Sequence, residues 1–458
     1  SILPISDADS IAVHQNLANY IFLNGLEFVN LKKDFEFTTM SNSEVLLILS
    51  PILKSDNFGS QLNFFSLVIF FIIFYKYNKS FIFFIFSCPL IIFFISTQKL
   101  QLFFGILFLL LFILVHQKLI KNKIEIFLFF LLLSFYASGK ISYILISLPL
   151  FFYFLFMNKK NLKLILVYSI FIFLFFFLSF FLIKYKFFGN PISPFFNNLF
   201  NHNDDLLNSF ALNLRSSEGW LKGLNLKILL KPFIPLSFSS LSNTLGIIFL
   251  FQLLNLNLLK KTKFIPIMII FLMLLTGQIL PRYYFEAFLI FSFFYVVQKN
   301  IIINFVKFSQ SVVVLLLSLG FLFMAYIESN VFFQKDKFMN RFSYSLYNNN
   351  ELEKLNLKGN ILVLNQDRQS LFFKDNIYGS RSIYIKSLIN IGKDSAIFSF
   401  LNENSINYII GEEYNLPNCI VLSEIGDIYQ KKSIRNFFLN ERRKSYNIYS
   451  IDINNCKS

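Results

Sequence analysis

The chain has 458 residues, of which 55% are hydrophobic and 15% are charged, and its formal net charge is +16. A soluble domain carries roughly 25% charged residues, so this composition excludes an ordinary soluble protein and indicates an integral membrane protein. The positive charge would suggest nucleic acid as the partner of a soluble protein, but these lysines cluster in short loops between apolar runs. We therefore attribute the charge to membrane topology and expect no nucleic-acid partner.

Two short helices are predicted before the first long apolar run. Residues 10–24 have apolar side chains at helical spacing, namely Ile11, Leu17, Ala18, Ile21 and Phe22. Ser41-Asn42-Ser43-Glu44 matches a capping box, which predicts a second helix through residue 53. Neither helix is long enough to cross a bilayer, so we interpret residues 1–60 as an outer loop with helices on the membrane surface.

Ten apolar runs follow, and each is predicted to be a membrane span. A span needs ~20 residues, so the shorter runs must include flanking residues. The runs lie at about 61–77, 80–96, 101–116, 125–138, 141–157, 162–184, 243–259, 264–280, 283–298 and 311–327.

The connections between these runs alternate in charge. Every second loop is rich in lysine, whereas the intervening connections are tight turns carrying Lys99, Lys140 or Arg282, and one long loop at 185–242. Because lysine-rich loops are cytoplasmic, residues 1–60, the long loop and residues 328–458 are predicted to face the outer side. Within the long loop, 206–214 and 220–230 are predicted to be amphipathic helices at the interface.

From about residue 329 the composition becomes that of a soluble domain. Residues 359–365 and 406–411 are predicted to be short buried strands, and 394–403 a helix, which indicates a small α/β unit. The fold class that we expect is therefore an α-helical polytopic membrane protein, with a helix bundle at 61–327 and an outer soluble α/β domain at 328–458.

The three cysteines give a further expectation. Cys88 lies in an apolar run and behaves as a small hydrophobic residue, whereas Cys419 and Cys456 lie in the polar tail. The last two could form a disulfide if the tail is in an oxidising compartment. The tail contains no phosphate loop, CxxC or HExxH pattern.

Polar features stand at the outer ends of the spans. They are the cluster Asp7, Asp9 and His14, the turn Lys140 to Tyr143, and the segment Arg282, Tyr283 and Glu286. A carboxylate near fixed cations suits a reaction in which an acceptor hydroxyl loses a proton while a phosphate leaves.

Each of these residues also has a structural explanation. Asp9 is well placed to be an N-cap, and Asp7 with Asp9 could bind a divalent metal or share a proton. His14 is five residues after Asp9, off the same helical face, which favours a surface histidine. Lys140 and Arg282 could extend to lipid headgroups. Glu286 is costly in an apolar run unless it is paired, and Arg282 is four positions away on one helical face.

The order of these motifs resembles that of GT-C-type membrane glycosyltransferases, the superfamily of protein mannosyltransferases and aminoarabinose transferases. Asp9-Ser10-Ile11-Ala12-Val13-His14, with a helix ending at Asn24-Gly25, resembles their first outer loop. Lys140-Ile141-Ser142-Tyr143 resembles their Lys-Tyr-Ser turn, Gly189-Asn190-Pro191-Ile192-Ser193-Pro194 their Gly-Asn-Pro-Val-Tyr-Pro segment, and Arg282-Tyr283 with Glu286 their Arg-Tyr segment.

The resemblance implies an inverting glycosyl transfer from a polyprenyl-phosphate-sugar donor to a lipid, glycan or protein acceptor. It implies Asp9, or Asp7 beside it, as general base, and His14, Lys99, Lys140, Tyr143, Arg282, Tyr283 and Glu286 as substrate-binding residues. No cofactor follows from it. The implied location is a bacterial inner membrane, with the catalytic loop and the C-terminal domain on the periplasmic side.

Two departures from the family pattern stand beside the resemblance. Val13 and Asn16 occupy positions where aromatic residues and Pro are common, and because the chain begins at Ser1 we expect the first span to be missing. Two other functions stay open: a transporter or flippase of lipid-linked glycan, and a non-catalytic glycolipid-binding protein. The scarcity of charge within the spans favours chemistry at the surface over transport.

Overall fold

The fold is described from a computed structural model. The residues that it describes are 14, 17–18, 21–22, 41–53, 55, 57–77, 85, 88–95, 97–192, 200, 230, 232–234, 243–254, 264–276, 278, 280–295, 304–305, 308–312, 314–316, 318–319, 322, 357–363, 377–378, 394–411, 416, 419–429 and 445–452. Asp7, Asp9, Cys456 and the predicted helix 206–214 lie outside these residues, as does all of 220–230 except Leu230.

Most of the described chain is helical. The α-helices are α1 (Asn42–Leu46), α2 (Leu49–Ile52), α3 (Phe58–Tyr77), α4 (Pro89–Ile95), α5 (Gln101–His116), α6 (Lys123–Ser138), α7 (Ile141–Met157), α8 (Leu162–Phe188), α9 (Ile247–Leu254), α10 (Phe264–Leu275), α11 (Phe285–Tyr295) and α12 (Asp394–Glu403). Short 3₁₀ turns at Lys159–Asn161 and Pro281–Tyr284 precede α8 and α11.

Two of the described helices are long and apolar enough to cross a membrane, α3 over Phe58–Tyr75 and α8 over Leu162–Lys186. Large apolar side chains on α8 are exposed, with Phe171 at 71% and Phe175 at 73%. Such surfaces suit a hydrocarbon solvent rather than water, which supports membrane association.

The prediction of ten spans is not supported by the described helices. α5, α7 and α10 are apolar but have 16, 17 and 12 residues, below the ~20 that a span needs. Polar turns such as 97–100 and 139–140 end the helices early. The apolar runs at 101–116 and 141–157 have the same bounds as α5 and α7, so the part of the prediction that is not supported is the extension of these helices by flanking residues to the length of a span.

α5 lies at the centre of the helical core and contacts α3, α4, α6, α7 and α11. A Cβ atom at Gly105 of α5 would lie 3.0 Å from the Phe285 ring, so glycine lets α11 approach closely. Phe285 also packs edge-on against Phe94 of α4, with ring centroids 5.1 Å apart. These contacts place Glu286, the next residue of α11, in the interior of the bundle.

The described part of the predicted first helix is confirmed as helical. Leu17, Ala18, Ile21 and Phe22 are helical, and the first three are buried. Phe22, which belongs to the same apolar set, is 47% exposed. It lies about 90° around the helix from the centre of the buried stripe, given 100° per residue.

The predicted capping box is confirmed at α1. The backbone N–H of Ser41 donates to Glu44 Oε2 at 2.9 Å, and Ser41 is the N-cap. The single helix predicted through residue 53 is instead two short helices, because a turn at 47–48 separates α1 from α2.

The C-terminal residues form a five-stranded sheet with its own core, in the order β2-β1-β3-β5-β4. Its strands are β1 (Asn360–Val363), β2 (Ile377–Tyr378), β3 (Ile406–Gly411), β4 (Val421–Tyr429) and β5 (Ser445–Asp452). β1 is parallel to β2 and β3, whereas β5 is antiparallel to β3 and β4. Ile397 and Leu401 of α12 pack with Leu362 of β1 and Ile409 of β3. The predicted α/β character is confirmed, and the antiparallel pair β4–β5 is an addition to it.

Cys88 and Cys419 differ in bonding state, in agreement with what the sequence suggested. Cys88 is a buried free thiol at the start of α4, and Cys419, beside β4, is disulfide-bonded. A disulfide in this part of the chain is typical of an oxidising compartment.

Candidate functional site

The first feature of the site is a hydrogen bond between His14 of the N-terminal segment and Glu44 of α1. His14 Nδ1 lies 2.8 Å from Glu44 Oε1. The His14 side chain is 20% exposed and the Glu44 side chain 6% exposed. His14 is therefore a partly buried, paired residue, which corrects the interpretation of it as a surface histidine.

Glu44 is held on both carboxylate oxygens. Oε2 accepts from the Ser41 backbone N–H at 2.9 Å and lies 2.5 Å from the Ser41 hydroxyl. Burial alone would raise the pKa of Glu44, but the hydrogen bond and charge of His14, with hydrogen bonds from Ser41 and Ser43, outweigh it and hold the pKa below the usual value. The negative form of Glu44 is thus the stable one.

α1 is fixed to the turn between α6 and α7. The Ser41 hydroxyl also lies 2.7 Å from the carbonyl oxygen of Gly139, and can donate either to it or to Glu44. Asn42 Nδ2 donates to Ser138 Oγ at 2.6 Å. A Cβ atom at Gly139 would lie 2.6 Å from the Phe104 ring, so only glycine fits between α5 and this turn. Helix α1 and the Lys140 turn are therefore one structural unit.

Lys140, the N-cap of α7, and Arg282 meet at one aromatic ring. The Nζ atom of Lys140 is 4.8 Å from the centroid of the Tyr283 ring, and the guanidinium carbon of Arg282 is 5.1 Å from it. Cations at these distances are attracted by the face of a tyrosine ring. Two cations that are far apart in sequence thus contact the same ring.

A buried carboxyl group lies behind these cations. Glu286 is 2% exposed, and its Oε1 accepts a hydrogen bond of 3.0 Å from the Tyr136 hydroxyl. Its Oε2 has no hydrogen-bond partner among the residues that the structure describes. Lys140 is the cation that acts on Glu286 electrostatically. Among the described residues, Glu286 thus has Tyr136 as its hydrogen-bond partner and Lys140 as its neighbouring cation, in place of the Arg282 that helical spacing predicted.

Tyr143 lies between the two carboxyl groups. Its ring stacks on that of Tyr136 with centroids 4.8 Å apart, and both Glu44 and Glu286 act on it electrostatically. Tyr143 is buried, at 4% exposed. We call the set His14, Glu44, Lys140, Tyr143, Arg282, Tyr283 and Glu286 the polar cluster.

Sequence reasoning missed two residues of this region. Glu44 was interpreted only as part of a capping box, and it is also the partner of His14. Lys184 of α8 is 3% exposed and interacts electrostatically with Glu44. The sequence signal for Lys184 was a lysine just inside the end of an apolar run, but the exposed Lys186 gives the same signal.

Lys99 lies in a neighbouring turn. The amide of Asn63 on α3 donates to the Lys99 carbonyl oxygen at 2.7 Å, and Lys99 Nζ is 5.4 Å from the centroid of the Phe93 ring. The neighbouring residue Gln98 packs closely against Gly59, as does Leu47 of the α1–α2 turn. Lys99 therefore borders the outer loop, and its contact with the Phe93 ring is separate from the Tyr283 ring of the polar cluster.

Asp7 and Asp9 lie outside the described residues, so their distance from the polar cluster stays a prediction. Among the described residues there is no group of three or more His, Cys, Asp or Glu side chains that could hold a metal ion. The polar cluster combines carboxyl groups, an imidazole and cations, which are the groups that proton transfer beside an anionic leaving group requires.

No protein-family model, no curated protein and no solved structure matches this chain.

Proposed function

We propose that this protein is a polytopic membrane glycosyltransferase that moves a sugar from a polyprenyl-phosphate donor to a lipid, glycan or protein acceptor. The observation that carries the proposal is the meeting of Lys140 and Arg282 at the Tyr283 ring, in front of a buried Glu286 and beside the His14–Glu44 pair. In sequence these residues stand at the ends of different apolar runs.

The chemistry of this arrangement suits a lipid-phosphate leaving group. When the sugar–phosphate bond breaks, negative charge develops on a phosphate oxygen, and fixed cations stabilise that charge. Lys140 and Arg282 are placed for that role. An acceptor hydroxyl must lose its proton in the same displacement, and Asp9 is the proposed base, with inversion at the sugar carbon because the displacement is single and direct.

The surroundings support a membrane-bound substrate. α3 and α8 are long and apolar enough to cross a bilayer, and α8 exposes large aromatic side chains. A polyprenyl chain is soluble only in that environment. The disulfide at Cys419 supports an outer, periplasmic position for the C-terminal sheet, and with it for the outer loop.

The positions of the buried charges favour surface chemistry over transport. Glu286 is the second residue of α11, and Lys184 is in the last turns of α8. Transporters place ionisable groups or broken helices near the middle of the membrane. Charges at helix ends instead suit a site at the membrane surface.

The test of the proposal is donor turnover in proteoliposomes by the wild type and by Asp9→Asn and Asp7→Asn. Loss of the base is expected to reduce sugar transfer by ~10²–10⁴-fold, the usual contribution of general-base catalysis. We expect that loss for Asp9→Asn and a smaller one for Asp7→Asn. Full activity in both variants would exclude these residues as the base.

The matched control is Glu125→Gln, because Glu125 is an exposed capping-box residue at the opposite end of α6 from Ser138 and Gly139. It is expected to leave turnover unchanged. A non-catalytic glycolipid-binding protein would bind the donor without releasing sugar in the wild type, which would overturn the enzymatic proposal.

A further inference from the structure

We propose that His14 accepts a hydrogen bond at Nε2 from a hydroxyl group of the bound substrate, and that Glu44 is the positioning residue that holds His14 in the required tautomer. This inference rests on the proposed function. It specifies the atom through which His14 acts and assigns a role to Glu44, which the resemblance does not.

The tautomer follows from the hydrogen bond between His14 and Glu44. An ionised carboxylate only accepts hydrogen bonds, so the 2.8 Å contact with Glu44 Oε1 requires a hydrogen on His14 Nδ1. In a neutral imidazole the other nitrogen then carries a lone pair. Carboxylates that orient histidines in this way are common behind metal-binding and catalytic imidazoles.

Nε2 is available to a ligand. The Nδ1 contact with Glu44 is the only hydrogen bond of His14 within the described part of the chain, and the side chain keeps 20% of its surface exposed. A hydrogen-bond acceptor on a partly exposed side chain selects a donor such as a hydroxyl. Sugars and sugar acceptors both present hydroxyl groups.

Glu44 is built to hold this orientation. Ser41 contacts Oε2 through its backbone N–H and its hydroxyl, which leaves Oε1 for His14. Ser41 also reaches the carbonyl of Gly139, the residue before Lys140. The position of the His14 imidazole is thereby fixed relative to Lys140, the cation that faces the proposed leaving group.

The alternative is that Glu44 only caps α1, and the chain contains a matched control for it. Glu125 occupies the same capping-box position on α6, where it accepts from the backbone N–H of Asn122 at 3.0 Å, but it is exposed and has no histidine partner. A capping effect should appear equally in Glu44→Gln and Glu125→Gln. A positioning effect should appear only in Glu44→Gln.

The experiment measures kcat and KM for a polyprenyl-phosphate-linked hexose in proteoliposomes. His14→Asn retains an amide N–H near the position of Nδ1 but has no acceptor at the position of Nε2. We expect His14→Asn and Glu44→Gln each to lower kcat/KM about tenfold, the effect of one hydrogen bond, and Glu125→Gln to change it less than twofold. A raised KM for the hexose donor assigns the hydroxyl to the sugar, and a raised KM for the acceptor assigns it to the acceptor.

A second measurement uses only the wild-type protein and so does not depend on the folding of a variant. Diethyl pyrocarbonate modifies unprotonated imidazole nitrogens, so His14 of the wild type should be carbethoxylated, and bound donor or acceptor should protect it, as mapped by mass spectrometry. His116, which stacks on Phe112, is the internal reference whose modification the substrates should not change. Wild-type activity in His14→Asn, or a His14 that neither substrate protects, would overturn this inference alone. A wild type that turns over no donor would overturn the proposed function instead.

Discussion

Removal of the hydrogen bond between Tyr136 and Glu286 should destabilise the bundle measurably. Tyr136 is fully buried on α6, Glu286 is 2% exposed on α11, and the hydroxyl–carboxyl distance is 3.0 Å. Tyr136→Phe removes the side-chain donor to Oε1 of a carboxyl group whose Oε2 already has no hydrogen-bond partner among the described residues. The free energy of unfolding of the variant is therefore lowered both by the lost hydrogen bond and by the poorer hydrogen bonding of a buried carboxyl group.

The magnitude follows from the surroundings of the bond. Hydrogen bonds between membrane helices average about 0.6 kcal/mol, whereas bonds to charged groups in proteins contribute about 1.5–3 kcal/mol. A buried carboxyl beside Lys140 lies between these cases, so we expect a coupling energy of about 1–2 kcal/mol between Tyr136 and Glu286.

The assay is a double-mutant cycle of Tyr136→Phe and Glu286→Gln, with free energies of unfolding measured in mixed micelles. Tyr153→Phe is the matched control, because Tyr153 is partly buried on α7 and only packs against the apolar core. The control should change stability by less than about 0.5 kcal/mol. A coupling energy below about 0.5 kcal/mol for Tyr136 and Glu286 would refute the claim that this bond joins α6 to α11.

Three further predictions concern the outer loop and the sheet. Gly139→Ala should destabilise the protein by about 1–3 kcal/mol through overpacking, whereas Gly426→Ala, where a Cβ meets no atom within 4 Å, should be neutral in the same unfolding assay. The pKa of Glu44 is lowered in the folded state, so its contribution to stability should be fully present above the unfolded pKa of about 4.3. That contribution should be lost as the pH falls through the folded pKa. Free energies of unfolding measured from pH 6 to pH 3 should show this loss in the wild type and not in Glu44→Gln. Maleimide labelling without reductant should modify Cys88 only after denaturation and Cys419 not at all, and a labelled Cys419 would contradict the disulfide.

The sequence was a good guide wherever one local pattern decides the structure. The Ser41 capping box and the helix Asp394–Glu403 were predictable because capping and amphipathic spacing are properties of adjacent residues. The number of spans did not follow from the apolar runs, because the runs at 101–116 and 141–157 form α5 and α7 and their polar flanks do not extend these helices to the length of a span.

The polar cluster shows the same division. Lys140, Arg282 and Glu286 could be selected as charges at the ends of apolar runs, but their partners could not. Glu286 hydrogen-bonds to Tyr136, which is 150 positions away, and this contact depends on how Phe285 packs on Gly105. Long-range contacts of this kind arise from tertiary packing, about which spacing along one helix is uninformative.

The most direct test of the central claim is the release of labelled sugar from a polyprenyl-phosphate-linked donor by the purified wild-type protein in proteoliposomes. The account predicts time-dependent transfer of the label from the lipid to an acceptor, and a loss of at least tenfold in Lys140→Ala, since the cation that faces the leaving phosphate is removed. Label that stays on the lipid with every such donor, or transfer that is unchanged in Lys140→Ala, would contradict it.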